Sequence, residues 1–228
     1  QPPSGSIIIN SNAIYTNSTT VILTLSATDN VGITGYFIST SSTTQSTSDS
    51  GWTSIASTTT YTEDVSYTLS SDDGSKTVYV WYKNTSGNVS NSASDSIILD
   101  TTAPTITITS PTSDAIFTTT SSVMAIGGSS SDSTSGVSSV TWSNDKGGSG
   151  TASGTTGWLT SSVSLLSGEN IITVTATDGA GNTGTDTITV TYDTGTVSTP
   201  TPTLTPVLSP TPIPTLTTEP NKKGTISG

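Results

Sequence analysis

The chain has 228 residues, a formal net charge of −11 and a sequence pI near 4.1. It contains no His, Cys or Arg, which excludes imidazole bases, thiol nucleophiles, disulfides and cysteine or histidine metal sites. The excess of Asp and Glu over Lys opposes binding to nucleic acid or to an anionic membrane surface. Ser and Thr make up about two residues in five. With so many hydroxyls and only 9% charged residues, the composition predicts a secreted or cell-surface protein.

Short β-branched apolar runs, separated by polar turn clusters, predict strands rather than helices. Six strands are predicted in the first part of the chain, at residues 6–10, 20–27, 32–39, 65–69, 77–83 and 94–99. Six more follow, at residues 105–109, 122–127, 137–143, 162–166, 171–177 and 185–192. This spacing is typical of an antiparallel β-sandwich. No apolar run is long enough to cross a bilayer, so direct membrane insertion is not expected.

An internal repeat divides these strands into two modules. Residues 76–88 overlay residues 170–182 with a single offset, and each copy is a strand that ends in a glycine-containing turn. In each copy the next strand is closed by an aspartate, Asp100 or Asp193. Repetition at domain spacing predicts tandem modules.

The predicted fold class is therefore all-β, with two tandem antiparallel β-sandwiches at residues 1–100 and 101–193 and an extended tail. Residues 101–104 form a short joint ending in a proline, which blocks strand continuation and should limit the swing between modules. Pro and Thr alternate through residues 194–223, which favours a semi-rigid polyproline II linker. Residues 224–228 resemble the opening strand of a further β domain.

Three segments of the first module resemble the bacterial Ig-like repeats of surface proteins. They are Ala-Thr-Asp-Asn-Val-Gly at 27–32, the Ser-Gly-Asn turn that begins at Ser86, and Asp-Thr-Thr-Ala-Pro-Thr at 100–105. Residues 168–182 of the second module are similar to Ig-like modules attached to secreted glycan-active enzymes. The resemblance covers residues 5–193 and implies two Ig-like sandwiches. Such modules serve as stalks, spacers, adhesive units and enzyme appendages, so it implies little about function.

Three aromatic side chains are predicted to share one outward face of the first module. In the repeat alignment Tyr79 and Trp81 occupy positions filled by Thr in the second module, and Phe37 aligns with another outward position. An exposed row of rings would suit a carbohydrate or a protein partner. The alternative is that the loop within residues 40–60 covers the rings, or that they only stabilise neighbouring strands.

Five aspartates are candidates for a structural Ca²⁺ site at the joint. Loops at the same pole of an Ig-like module should bring Asp132 and Asp178 towards Asp100, and Asp72 and Asp73 could close the cluster. Hard carboxylate oxygens suit Ca²⁺, which would neutralise their mutual repulsion. The alternative is that these residues only form turns, because Asp side chains bond readily to nearby backbone. No other cofactor is predicted.

Glycosylation is a further expectation from short motifs. Asn17, Asn84 and Asn88 each begin an Asn-X-Ser/Thr triplet at a predicted turn or strand end. The threonines of the Pro-rich tail are better glycan candidates because their backbone should be exposed; they include Thr199, Thr201, Thr203 and Thr205.

Together these features favour a non-catalytic extracellular structural module: a stalk, a spacer or a subunit of a surface assembly. No nucleophile with a base partner can be named, so an enzyme is not expected. The expected partners are other surface proteins or further copies of the chain. Two alternatives remain open. One is a carbohydrate-binding accessory module of a secreted polysaccharide-active enzyme, and the other is a self-assembling extracellular fibre subunit.

Overall fold

The structure is a computed structural model that describes residues 1–195 and Gly224. The described residues form sixteen strands and one turn of 3₁₀ helix, Asn10–Asn12. The first module contains β1 Ser4–Ile9, β2 Tyr15–Thr16, β3 Thr20–Ser39, β4 Thr53–Thr68, β5 Gly74–Asn84 and β6 Ala93–Leu99. The second contains β7 Thr105–Ser110, β8 Ile116–Thr119, β9 Val123–Met124, β10 Gly127–Ser131, β11 Val137–Asn144, β12 Ser149–Thr151, β13 Gly157–Leu159, β14 Val163–Ser164, β15 Gly168–Asp178 and β16 Thr183–Tyr192. The predicted all-β class with two Ig-like modules is confirmed.

In the first module one bent sheet encloses the core. The strand order is β1-β3-β5-β6-β2, and β4 pairs with the other side of β3. Because the first half of β3 pairs with β1 and its second half with β5, the sheet folds over on itself. Two hydrogen bonds cross the resulting layers, from Ile9 N to Asp95 Oδ2 and from Tyr82 Oη to the carbonyl oxygen of Ser6. Apolar side chains at every second position of β3 and β5 fill the space between.

In the second module the layers are separate sheets. One sheet has the order β13-β10-β7 and the other β12-β11-β15-β16-β8, with a small β14-β9 pair beside them. The inward residues of β15 and β16 are buried, while threonines fill most of the outward positions between them. Ile108 N donates to Asp186 Oδ2, repeating the contact of Ile9 with Asp95 in the first module.

The structure differs from the predicted strands in several respects. It contains four short strands that the sequence pattern did not predict: β2, β8, β12 and β13. The two strands predicted at 20–27 and 32–39 are a single strand, β3, whose pairing shifts between Thr28 and Ile33. The strand predicted at 65–69 begins at Thr53, because most of β4 is Ser/Thr-rich and carries no apolar alternation. The sandwiches are not purely antiparallel, since β2 pairs parallel with β6 and β8 pairs parallel with β16. The predicted linker at 194–223, apart from its first two residues, and the strand at 224–228, apart from Gly224, lie outside the described residues.

Within residues 1–195 and Gly224, no helix has the length and apolarity needed to cross a membrane.

Candidate functional site

The joint between the two modules is anchored by the β4–β5 turn of the first module. Asp73, just before β5, accepts hydrogen bonds from the backbone and the hydroxyl of Thr101, both at 2.9 Å. Its second oxygen accepts from the Thr102 hydroxyl at 2.8 Å. These bonds from Thr102 and Thr101 lower the pKa of Asp73. Two of the four joint residues are therefore fixed to the first module.

The second module also contacts the first directly at the joint. The Asn182 side chain, in the β15–β16 turn, donates a 2.9 Å hydrogen bond to the carbonyl oxygen of Asp100. Gly179, in the same turn, lies against Tyr15 of β2: a Cβ added there would come 3.3 Å from the Tyr15 ring. The modules therefore meet through side chains as well as through the connecting peptide.

Two loops of the second module present aspartates at this end. In the β10–β11 loop, Asp132 Oδ1 accepts the backbone N–H groups of Thr134, Ser135 and Gly136 at 2.9–3.0 Å. A short Asx-type turn of this kind is a common reason for Asp in a loop. The turn leaves Asp132 Oδ2 without a hydrogen bond among the described residues.

The β15–β16 turn repeats this arrangement around Asp178. Its Oδ1 accepts the N–H groups of Ala180, Gly181 and Asn182 at 2.7–2.9 Å, and its Oδ2 accepts the Asn182 side-chain amide at 2.8 Å. The residue is only 2% exposed. Backbone amides therefore hold a buried carboxylate in one fixed orientation.

Asp100, which follows β6, completes the group from the other side of the joint. It is fully buried, and its Oδ1 accepts a hydrogen bond from the backbone N–H of Thr102 at 3.1 Å. Its Oδ2 is buried without a hydrogen-bond partner within residues 1–195. An unpartnered buried carboxylate oxygen is costly, because its desolvation is not offset. The other two such atoms in the described part of the chain are indole nitrogens, which carry no charge.

Asp100, Asp132 and Asp178 form one cluster, here called the joint carboxylates. Each contributes a carboxylate oxygen, and these oxygens all lie within 4.8 Å of one another. The structure thus brings together three of the five aspartates predicted for this site. The lysine ion pairs within residues 1–195 lie elsewhere, at Lys76 and Lys146. Three hard oxygen ligands facing one another are chemically suited to a divalent cation.

Asp72 and Asp73 do not join the cluster, so that part of the prediction is wrong. Asp72 forms an ion pair with the buried Lys76, with 2.8 Å between Oδ2 and Nζ. The Lys76 hydrogen bond lowers the pKa of Asp72 to about 2. Asp73 binds the two joint threonines as described above. The sequence places both residues in the turn next to the joint. It does not show that their carboxylates bind Lys76 and the joint threonines instead.

The three predicted aromatic residues lie together on the outer face of the first module. Phe37 and Trp81 face each other across β3 and β5, with ring centroids 6.2 Å apart, and Tyr79 stacks on Trp81 at 6.1 Å. Phe37 and Tyr79 are half-buried. Trp81 is only 1% exposed, so the expectation of an exposed ring is wrong at that position. The alternative of a covered patch describes Trp81 better.

Trp52, which sequence reasoning did not single out, helps to form this cover. It follows the loop between β3 and β4, and its ring meets Phe37 edge to face at 5.7 Å. Its indole N–H donates to the carbonyl oxygen of Ser46, and Lys83 Nζ lies 4.8 Å from its ring centroid. Phe37, Trp52, Tyr79 and Trp81 are called the outer aromatic cluster below. The sequence feature that could have identified Trp52 is the presence of a large aromatic residue in an otherwise Ser/Thr-rich loop.

The glycosylation candidates differ in exposure. Asn17 is exposed and Asn88 is half-buried. Asn84 is 3% exposed, and its side-chain nitrogen donates to Asp29 and to the carbonyl oxygen of Gln1. It is therefore a poor acceptor in the folded chain. Thr199, Thr201, Thr203 and Thr205 lie outside the described residues.

Comparison with known proteins supports the architecture. Residues 104–194 match the family model described as glucodextranase, domain B, so the second module is similar to a domain of a glycan-active enzyme, as its motifs suggested. No curated protein sequence matches the chain significantly.

Solved structures similar to the chain include fibronectin(III)-like modules and a bacterial adhesin. Fibronectin(III)-like modules of Clostridium thermocellum CbhA are 17% identical, with 81% of this chain and 93% of that chain covered and a TM-score of 0.46. A 1.5-MDa bacterial ice-binding adhesin is 21% identical, with 84% and 66% covered and a TM-score of 0.48. No functional conclusion follows from likeness at this level.

Proposed function

We propose that this chain is a non-catalytic spacer of an extracellular or cell-surface protein, which holds neighbouring parts at a fixed separation. The observation that carries the proposal is the joint. Only four residues connect the modules, and two of them, Thr101 and Thr102, are bonded to Asp73 of the first module. The bond from Asn182 to Asp100 adds a direct contact from the second module. A joint fixed from both sides transmits orientation, whereas a free linker does not.

The surface chemistry supports an extracellular location. Outward positions of β4, β15 and β16 are mostly threonine and serine, so hydroxyls rather than charges meet the solvent. The lack of His, Cys and Arg removes the side chains on which most catalytic sites depend. These are the properties expected of a module whose task is mechanical.

The test is a distance measurement across the joint. The chain has no native Cys, so spin labels can be attached only at introduced positions. Ser66→Cys and Ser143→Cys place labels on exposed residues of β4 and β11, one in each module. Double electron–electron resonance should give one narrow distance distribution. The control pair, Ser129→Cys with Ser143→Cys, lies within the second module and defines the width of a rigid body. A distribution much broader than this control would reject the fixed spacer.

A second candidate is an accessory module that binds polysaccharide beside a catalytic domain. It is favoured by the match of residues 104–194 to a domain of glucodextranase. In the first module the half-buried Tyr79 borders a surface groove with Thr40, Thr77 and Lys76. Because Trp81 is buried, the informative variants are Tyr79→Ala and Trp52→Ala. Retention of the wild-type chain on an insoluble glucan, lost in Tyr79→Ala, would favour this function over the spacer.

A third candidate is a fibre subunit that assembles by edge pairing. Among the described residues the sixteen-residue strand β4 pairs only with β3. Within that part of the chain one edge of a long strand is open to another strand. Light scattering at rising protein concentration tests this: growth of large particles, stopped by Thr60→Pro in β4 but not by a proline outside it, would favour the fibre.

A further inference from the structure

We propose that the joint carboxylates Asp100, Asp132 and Asp178 bind one Ca²⁺ ion, which clamps the end of the first module to two loops of the second. The ligands come from both sides of the joint. Asp100 directly follows β6, whereas Asp132 lies in the β10–β11 loop and Asp178 is the last residue of β15. An ion bound there would tie three chain segments together at the one place where the modules meet.

The first argument is the state of Asp100. Its Oδ2 is buried and has no donor among the described residues. Asp100 also belongs to a cluster in which one carboxylate oxygen from each of the three residues lies within 4.8 Å of the others. A turn-forming role explains why Asp132 and Asp178 are present, because backbone N–H groups donate hydrogen bonds to the Oδ1 atom of each. It does not explain an orphan carboxylate oxygen on Asp100. A cation supplies the partner that this atom lacks.

The second argument is an internal comparison with the first module. There the β3 bend is held by Asp29, which accepts the N–H groups of Val31 and Gly32 as Asp132 does for its own loop. The residue that corresponds to Asp178 is Asn84, whose Oδ1 also accepts two turn amides. Asn84, however, donates its side-chain N–H to Asp29 Oδ2 at 3.2 Å. The first module therefore satisfies its carboxylate with an amide.

In the second module the same position is Asp178, whose side chain has no N–H to donate, and a third carboxylate, Asp100, is added. The turns are otherwise alike: Asp178 N bonds to Asn182 O as Asn84 N bonds to Asn88 O. Where the first module has the amide donor of Asn84, the second module has two carboxylates, Asp178 and Asp100. A cation site requires this exchange of a donor for acceptors, whereas the turn itself does not.

The geometry suits calcium. Ca²⁺ takes six to eight oxygen ligands at about 2.3–2.6 Å, so two ligands on opposite sides of one ion lie about 4.8 Å apart. A single ion can therefore reach all three residues. Carbonyl oxygens and water would complete the shell, as is usual for Ca²⁺. The absence of any nitrogen or sulfur ligand from this cluster disfavours zinc and copper.

The experiment titrates the chelator-treated full chain with CaCl₂ by isothermal titration calorimetry and follows thermal unfolding in Ca²⁺ and in EDTA. One ion should bind per chain, with a dissociation constant on the order of 10⁻⁴–10⁻³ M, as in other extracellular modules. At Ca²⁺ concentrations about 10 to 100 times this constant, the folding equilibrium constant should rise by about the same factor. No binding heat, together with identical unfolding in Ca²⁺ and EDTA, would overturn the site. An equal response to MgCl₂ would overturn its assignment to calcium.

Asp178→Asn is the decisive variant because it copies the first module. Asn keeps the oxygen that accepts the turn amides and gains the N–H that Asn84 uses. It should lose the response to Ca²⁺. Because its new N–H replaces the Oδ2 that accepts the Asn182 side-chain amide, the readout is the difference between unfolding in EDTA and in Ca²⁺ within the variant. Asp132→Asn, which also keeps an accepting Oδ1, should lose the response as well. The control, Asp193→Asn, removes the same charge from an exposed residue of this module and should respond like the wild type. An equal loss in the control would show charge screening, not a site.

The outcome is separable from that of the spacer proposal. Titration decides whether calcium binds, whereas the label distances decide whether the joint is fixed. If the distribution is narrow in EDTA and calcium does not bind, the spacer stands and the calcium site falls. If the distribution is broad in EDTA and narrows in Ca²⁺, both proposals hold and calcium controls the stiffness.

Discussion

Gly128 is a position where the side chain of alanine does not fit. The residue lies in β10, the middle strand of its sheet, where the pairing register shifts. A Cβ added there would overlap the carbonyl oxygen of Thr107 and would lie 2.6 Å from the ring of the buried Trp158. The first neighbour is backbone of the paired strand β7 and the second is a ring that is 3% exposed, so neither can move at low cost.

We therefore expect Gly128→Ala to destabilise the second module by about 1–3 kcal/mol or more, the usual cost of overpacking. The control is Gly157→Ala in the neighbouring strand β13, where a Cβ would have no atom within 4 Å. Urea unfolding followed by circular dichroism measures both variants. Equal stability of the two variants would contradict the close approach at Gly128.

The ion pair between Asp72 and Lys76 predicts a pH dependence of stability. The hydrogen bond from Lys76 lowers the pKa of Asp72 to about 2, from a usual value of 3.8. Because the folded-state pKa is depressed, the contribution to stability is present above about pH 4 and is lost as the pH falls towards 2. Lys76 is only 9% exposed, so removal of Asp72 leaves a largely buried ammonium group unpaired.

Asp72→Asn should therefore be less stable than the wild type at pH 7 and equal to it near pH 2. The size of the effect at neutral pH should be modest, because Asp72 itself is exposed and solvent screens the pair. Urea unfolding at both pH values provides the comparison. A difference between the two proteins that stays constant from pH 7 to pH 2 would show that the ion pair is not its cause.

At the level of elements, β5 carries two packed faces rather than one. Val78, Val80 and Tyr82 point into the sandwich core, whereas Tyr79 and Trp81 point outward into the outer aromatic cluster. The loop before β4 supplies Trp52 to the same cluster. The strand is therefore covered on its outer face by its neighbours and by a loop, which is why Trp81 is buried outside the core.

Trp81→Ala should cost about 3–5 kcal/mol of stability, as expected for removal of a large buried ring. Trp52→Ala should cost less, because Trp52 is half-buried and its loop can adjust. Ile14→Ala, at a residue that is 69% exposed, is the control and should change little. Urea unfolding of the three variants measures the order. If Trp81→Ala were as mild as the control, the ring would not be a packing element.

The success of sequence reasoning differed between elements for physical reasons. Strands with one buried face, such as β15 and β16, alternate apolar and hydroxyl residues, and this period is visible without a structure. Most of β4 is exposed on both faces, so no period marks it. The joint carboxylates were predictable as a group because the resemblance to Ig-like modules implies which loops share a pole. Their burial and the orphan oxygen of Asp100 depend on packing between modules, which sequence order does not encode.

At the scale of the whole molecule, the two modules have separate hydrophobic cores, and the joint lies between them. Stability should therefore depend mainly on each core, and the relative orientation of the modules on the few contacts around residues 100–104. The two properties can be changed independently.

Insertion of Gly-Gly between Thr102 and Ala103 should change the relative orientation of the modules without changing their stability. The added residues leave Asp73 bonded to Thr101 and Thr102 but let the second module move away from Asp100, which breaks the bond from Asn182. Thermal unfolding should change little, because neither core is touched. The label distances between β4 and β11 should broaden well beyond those of the parent chain. The matched control inserts Gly-Gly between Gly147 and Gly148, an exposed turn of the second module, and should leave the distances narrow. If the joint insertion also left them narrow, contacts other than those at residues 100–104 would fix the orientation.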